Sequence, residues 1–127
     1  MDVSRYVIVW SDPSADDLDR LNFSLNGRDP DYAERWDAGI RQAVLDLTDF
    51  PGPLSHARDE EASALYGREV RRLLYYGPTR RRSGTPVRVL FMIFPPDPDA
   101  SPEATEPVIL LLRLLRGAQT PAPDDPA

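Results

Sequence analysis

The apolar positions along this chain change period several times, and each change predicts an element. Tyr6-Val7-Ile8-Val9-Trp10 is an unbroken aromatic and β-branched run, which predicts a short strand buried on both faces. Ser11-Asp12-Pro13 stops it, with Asp12 as the expected N-cap and Pro13 at the first helical position. From Pro13 to about Leu25, Ala15, Leu18, Leu21 and Leu25 recur at helical spacing, and Asn26-Gly27 ends that helix. Asp29-Pro30 repeats the cap-and-proline signal. Ala33, Trp36, Ile40, Ala43, Val44 and Leu47 then form one stripe, which predicts a second helix from Pro30 to about Phe50, closed by Pro51-Gly52-Pro53. Two helices with a short joint imply an antiparallel hairpin.

The second half changes to strand-like runs. Asp59 to Leu65 suits one or two helical turns. Glu69 to Tyr76 and Pro86 to Phe94 read as strands joined through an exposed tip at Arg80-Arg81-Arg82-Ser83-Gly84. Pro95 to Pro107 holds five prolines and four acids, a stiff solvated loop that cannot pair inside a sheet. Val108 to Leu115 is almost all leucine and isoleucine. Leucine alone would allow a helix there, but the preceding proline and the Arg-Gly ending favour a short buried strand. The order is β-α-α-β-β-β: an α+β fold in which a two-helix hairpin packs against a sheet whose last three strands form an antiparallel meander. The folded domain is expected to span residues 1–118, with a disordered Pro/Asp-rich tail over 119–127.

Composition narrows the chemistry. There is no cysteine and one histidine, His56, so disulfides and thiolate metal sites are excluded, and neither a metal nor a cofactor is expected. No apolar run approaches the roughly 20 residues of a membrane helix, and the start, MDVSRYVIVW, does not resemble a signal peptide; a cytoplasmic protein is the expectation. All fifteen basic residues are arginine, a group that stays charged and grips carboxylate or phosphate in a fork. Net charge is −6, yet it is unevenly spread. Residues 1–66 hold fourteen acids and six arginines, a net of −8, while residues 67–94 hold seven arginines and one acid, a net of +6.

Several segments together resemble the RelE/ParE superfamily of toxins from type II toxin–antitoxin pairs, the plasmid stabilisation family. Val9-Trp10-Ser11-Asp12-Pro13-Ser14-Ala15-Asp16-Asp17-Leu18 looks like that family's first strand running into its first helix. Ala33 through Phe50-Pro51 looks like its second helix. Glu69-Val70-Arg71-Arg72-Leu73 with Pro86-Val87-Arg88-Val89-Leu90-Phe91 resembles its central strand pair, and Arg113-Leu114-Leu115-Arg116-Gly117-Ala118 its close. The likeness covers about residues 5–118. Arg116 stands where the family often has histidine, and the Pro95–Pro107 insertion exceeds the usual tight turn.

The resemblance implies a bacterial protein that inhibits growth and is held inactive by a cognate antitoxin, in a toxin–antitoxin hetero-oligomer. RelE-like members cut messenger RNA on the ribosome; ParE-like members poison DNA gyrase without hydrolysis. Catalysis of RNA cleavage needs proton carriers and phosphate holders. Arg88, Arg113 and Arg116, with Tyr76, are the candidates; Arg88 and Arg113 serve equally well as partners of structural carboxylates. Tyr75 and Tyr76 should point to opposite sides of their strand. His56, in a loop, reads as a solvated surface residue. The acidic total and the shortage of proton carriers favour the ParE-like branch, a protein that acts by binding rather than as an enzyme, over an mRNA endoribonuclease or a non-toxic binding module of the same fold. Arg80, Arg81 and Arg82 are the expected target contacts, and Leu18, Leu21, Leu25, Val87 and Val89 the expected lining of an antitoxin groove. The acidic run Asp16, Asp17 and Asp19 reads as a solvated helix face.

Overall fold

A computed structural model describes residues 6–49, 52–78, 85–94 and 107–117. The Arg80-Arg81-Arg82 tip, positions 95–106 of the insertion and the 119–127 tail lie outside the described residues. The elements are β1 (Val7–Trp10), α1 (Asp12–Asn26), α2 (Pro30–Leu45), α3 (Glu60–Tyr66), β2 (Arg71–Tyr75), β3 (Val87–Phe94) and β4 (Val108–Arg116), with 3-10 turns at Asp46–Thr48 and Gly52–Ser55.

Local chemistry sets most helix ends. The cap of α1 is Ser11, one residue before the expected Asp12: the Ser11 hydroxyl accepts from the Ser14 N–H at 3.2 Å. Asp29 caps α2 as expected, accepting from the Tyr32 N–H at 3.1 Å with Pro30 at the first position. The α-helix then ends at Leu45 rather than near Phe50: the Thr48 hydroxyl donates to the Leu45 carbonyl at 2.8 Å, and the chain tightens into a 3-10 turn. Asp59 caps α3, and Gly67 closes it in the left-handed conformation at φ 74°.

The molecule is α+β, with a mixed four-stranded sheet in the order β1-β4-β3-β2. The meander β2-β3-β4 is antiparallel, and β1 returns across the helical hairpin to run parallel to β4. Val108–Arg116 is a strand, as its flanks suggest. A bulge pairs Phe91 with Leu111 but Leu90 with Arg113, so Leu112 is the extra residue.

One face of the sheet lies under α1 and α2. There Leu18, Trp36 and Ile40 pack on Val89, Phe91, Ile109 and Leu111. Tyr75 belongs to this core: its hydroxyl donates to the Trp36 carbonyl at 3.0 Å, and its ring meets Trp36 edge-on at 5.5 Å. The second face is covered only in part, by the short α3 through Ala62 and Tyr66 against Val70, Leu90, Met92, Leu112 and Leu115. β1 is therefore not buried on both faces. Tyr6, Ile8 and Trp10 pack under the hairpin, but Val7 and Val9 are 41% and 42% exposed, because α3 covers β2, β3 and β4 and stops short of β1.

Gly39 on α2 lets that helix approach β2, since a Cβ there would collide with the Tyr75 hydroxyl. Gly39→Ala is expected to destabilise the fold by about 1–3 kcal/mol, and more than Gly27→Ala at the helix end. Urea denaturation of the two variants measures this, and equal midpoints would remove the close-approach explanation.

Candidate functional site

Three arginines share the second face of the sheet. Arg72 on β2 pairs with Leu90, Arg88 on β3 with Leu74 and Leu115, and Arg113 on β4 with Leu90. Leu90 and Leu115 belong to the cluster beneath α3, so alternation puts these guanidinium stems on the α3 side. Arg116 pairs with Val87, a residue of the hairpin-side core, and is exposed at the end of β4. The expected trio therefore divides: Arg88 and Arg113 are diagonal neighbours on one face, while Arg116 belongs to the other. Each β residue turns its side chain opposite to the next, and the bulge at Leu112 fixes the phase.

Two buried carboxylates organise the cluster. Asp59 receives the Ala62 N–H at 2.9 Å as the cap of α3, and its second oxygen takes Arg88 Nη1 at 3.2 Å and Arg72 Nη1 at 3.7 Å. Asp17, 5% exposed, stands at the edge of β4. One of its oxygens accepts from Arg113 Nε at 2.7 Å and from the Leu114 backbone N–H at 2.9 Å; the other accepts from Arg113 Nη2 at 3.1 Å and Arg20 Nη2 at 2.9 Å. Asp17 is thus not part of a solvated helix face. The side chains of Arg88 and Arg113 are 17% and 12% exposed, and Arg72, at 37%, is the most open of the three.

Among the described residues, the proton carriers to weigh against these arginines are Tyr66, Tyr75, Tyr76 and His56. The Tyr66 phenol on α3 feels Arg113 and Asp17, but burial comes first and raises its pKa; Arg113 lowers it and Asp17 raises it further. Tyr75 is pushed up to about 12 by burial, then by Tyr32 and Asp37, and its hydroxyl is engaged on the hairpin side. Tyr76 is half-buried just beyond β2. His56 is not a freely solvated loop residue. Its ring meets Phe91 edge-on at 6.2 Å, and burial, then Arg71, lowers its pKa. Phe91 lies in the hairpin-side core, so the histidine is across the sheet from the three arginines. Among the described residues no group of three or more His, Cys, Asp or Glu could hold a metal ion.

The expected groove lining lies inside the molecule. Leu18, Leu25, Val87 and Val89 are buried in the hairpin-side core, and Leu21 packs partly buried against it. They join the hairpin to the sheet, so in this fold they are a closed seam rather than an open groove. Sequence reasoning took Asp17 for a solvated residue and assigned no site role to Asp59, Arg72 or Tyr66. Two signals pointed to the acids: Asp17 sits three residues after Ser14 and four before Leu21, inside the buried stripe, and Asp59 precedes Glu60-Glu61 as a cap should.

Replacing Asp17 by Asn removes the buried carboxylate that Arg113 grips with two nitrogens. Asp17→Asn is expected to cost about 3–5 kcal/mol, against about 0.5 kcal/mol or less for Asp16→Asn on the exposed face. Chemical denaturation of both variants tests this; similar losses would show that the Asp17 anchor contributes nothing special. For His56 the folded pKa lies below the ordinary value of about 6.5, so as pH falls the unfolded chain takes up the proton first. The stability due to the neutral ring is complete above about pH 6.5 and is lost as pH falls through the window below it. His56→Gln should flatten the pH dependence of the melting temperature there, and identical profiles would contradict the assignment.

No protein-family model, curated protein or solved structure matches this chain.

Proposed function

We propose that this chain is a toxin of the RelE/ParE type and of its ParE-like branch, a protein that arrests growth by binding an essential target and is neutralised by a cognate antitoxin. The target implied by the resemblance is DNA gyrase. The observation that carries the choice of branch is the employment of the motif arginines. Arg88 and Arg113 are held on the buried carboxylates of Asp59 and Asp17, and the only histidine lies across the sheet. A ribonuclease would need phosphate-holding charge beside a group able to take a proton. Here Tyr66, the phenol that feels the Arg113 charge, has its pKa raised.

Further support comes from the order of elements, β-α-α-β-β-β with one added short helix, and from the uneven charge. The strands carry five arginines and no acid, whereas α1 and α2 carry seven acids and three arginines. A surface divided in this way favours one orientation of approach to a charged partner. Arg80, Arg81 and Arg82 remain the proposed target contacts.

Expression without an antitoxin is expected to stop bacterial growth, and the purified chain to inhibit gyrase supercoiling while leaving messenger RNA intact in a translating extract. Cleavage in that extract, lost in Arg88→Ala and Arg116→Ala, would move the chain to the RelE-like branch. Normal growth with no effect on supercoiling would make it a non-toxic binding module.

A further inference from the structure

One stretch beside the sheet is held by few groups. Between Pro53 and Asp59, both buried, residues 54–58 run along the outer edge of β2. Leu54, Ser55, Ala57 and Arg58 are exposed, and His56 is the one residue of the five that is not. Its ring meets Phe91 edge-on at 6.2 Å. Arg71 pairs with Phe91 across β2 and β3, so its side chain lies on the same face. From there its Nη1 donates to the carbonyls of Leu54 at 3.2 Å and His56 at 2.8 Å. Two backbone bonds complete the hold: the Arg72 N–H donates to Ala57 at 3.0 Å and the Asp59 N–H to Val70 at 2.8 Å. The stretch is a strap with fixed ends and a single inward side chain, and that side chain titrates.

Protonation of His56 sets a new positive charge beside an existing one. β2 brings Arg71, the strap itself brings Arg58, and β3 presents the uncharged Phe91. The neighbouring acids are engaged: Glu69 by Arg71 at 2.9 Å and Glu60 by Arg58 at 3.3 Å. The turn Asp46–Thr48, which packs against Gly52–Ser55, brings Asp46, an acceptor for Gln42, and Asp49 follows it. Burial, and after it the Arg71 charge, opposes protonation of the ring. An imidazolium is better solvated in water than between Phe91 and Arg71. No other side chain of residues 54–58 is turned inward, so lifting the strap solvates the charge without opening the core. We propose that residues 54–58 form an acid-released strap: the neutral His56 ring keeps it on β2, and the protonated ring lets it go while the rest of the fold stays in place. Release frees the Arg72 N–H and uncovers the outer edge of β2. The folded ring titrates below the ordinary value of about 6.5, so the strap is fully held above that pH and loosens as pH falls through the window beneath it. The inference does not depend on the proposed function.

The test uses the full chain. It has one histidine, so the ring protons give a single NMR titration, with a midpoint expected below about pH 6.5. Hydrogen exchange reads the strap directly through the Arg72 amide, which is bonded to Ala57. Its protection factor should fall by up to about tenfold per pH unit between about pH 6.5 and that midpoint. The amides of the central strands β3 and β4 should keep theirs. His56→Gln should leave Arg72 protection flat across the window, and His56→Phe should hold the strap closed throughout it. A midpoint at or above about 6.5, an Arg72 protection factor that ignores pH, or the same slope in His56→Phe would overturn the proposal. So would loss of protection in β3 and β4 in step with Arg72, because the proton would then unfold the whole domain instead of releasing the strap.

Discussion

A single carboxylate holds the sheet together where a strand is missing. β1 supplies four residues and ends beside Leu111, so among the described residues the rest of β4 has no strand on that side. Ser11 closes the last of the shared edge through its N–H to the Leu111 carbonyl and its hydroxyl to the Leu112 carbonyl. Asp17, one and a half turns into the helix, then accepts the Leu114 N–H that a longer strand would have taken. An open edge would leave that buried N–H unsatisfied, at about 1–3 kcal/mol. The carboxylate is itself costly to bury, and Arg113 makes the burial tolerable by gripping both of its oxygens. The position of α1 over the sheet is thereby fixed, and with it the Leu18 side of the core.

Asp59 repeats the device at the opposite edge. The segment before α3 lies along β2, with the Arg72 N–H donating to Ala57 and the Asp59 N–H to Val70. Asp59 caps the helix with one oxygen and holds Arg88 and Arg72 with the other. Both helices that flank the sheet edges are thus tied to it by an aspartate and an arginine from the strands. A guanidinium suits this role, being planar, permanently charged and able to serve two acceptors at fixed angles. Charge engaged in this way shapes the field of the face, and it leaves less of it for a transition state.

Much of the architecture was legible in the chain. The capping aspartate and proline at Asp29-Pro30, the stripe through Trp36 and Ile40, and the strand character of Val87–Phe94 and Val108–Arg116 follow from local preferences that the tertiary structure had no reason to override. The role of Arg88 and Arg113 was undecided between phosphate and carboxylate, because a strand residue does not reveal which helix will lie across it. Val7 and Val9 read as buried, since β-branched runs look alike whether one face is covered or both.

The sequence by itself determined the kind and order of the four strands and the two long helices, the α+β class, the absence of thiol chemistry, and the separation of acids from arginines. These depend on periodicity, turn residues and composition, all of which act within a few positions. Only the tertiary structure decided that β1 lies at an edge beside β4, that Leu18, Leu25, Val87 and Val89 close a seam, and that Arg113 and Asp17, ninety-six positions apart, meet. Such facts depend on which surfaces come together, and long-range pairing is set by the packing of whole elements rather than by any local run of residues.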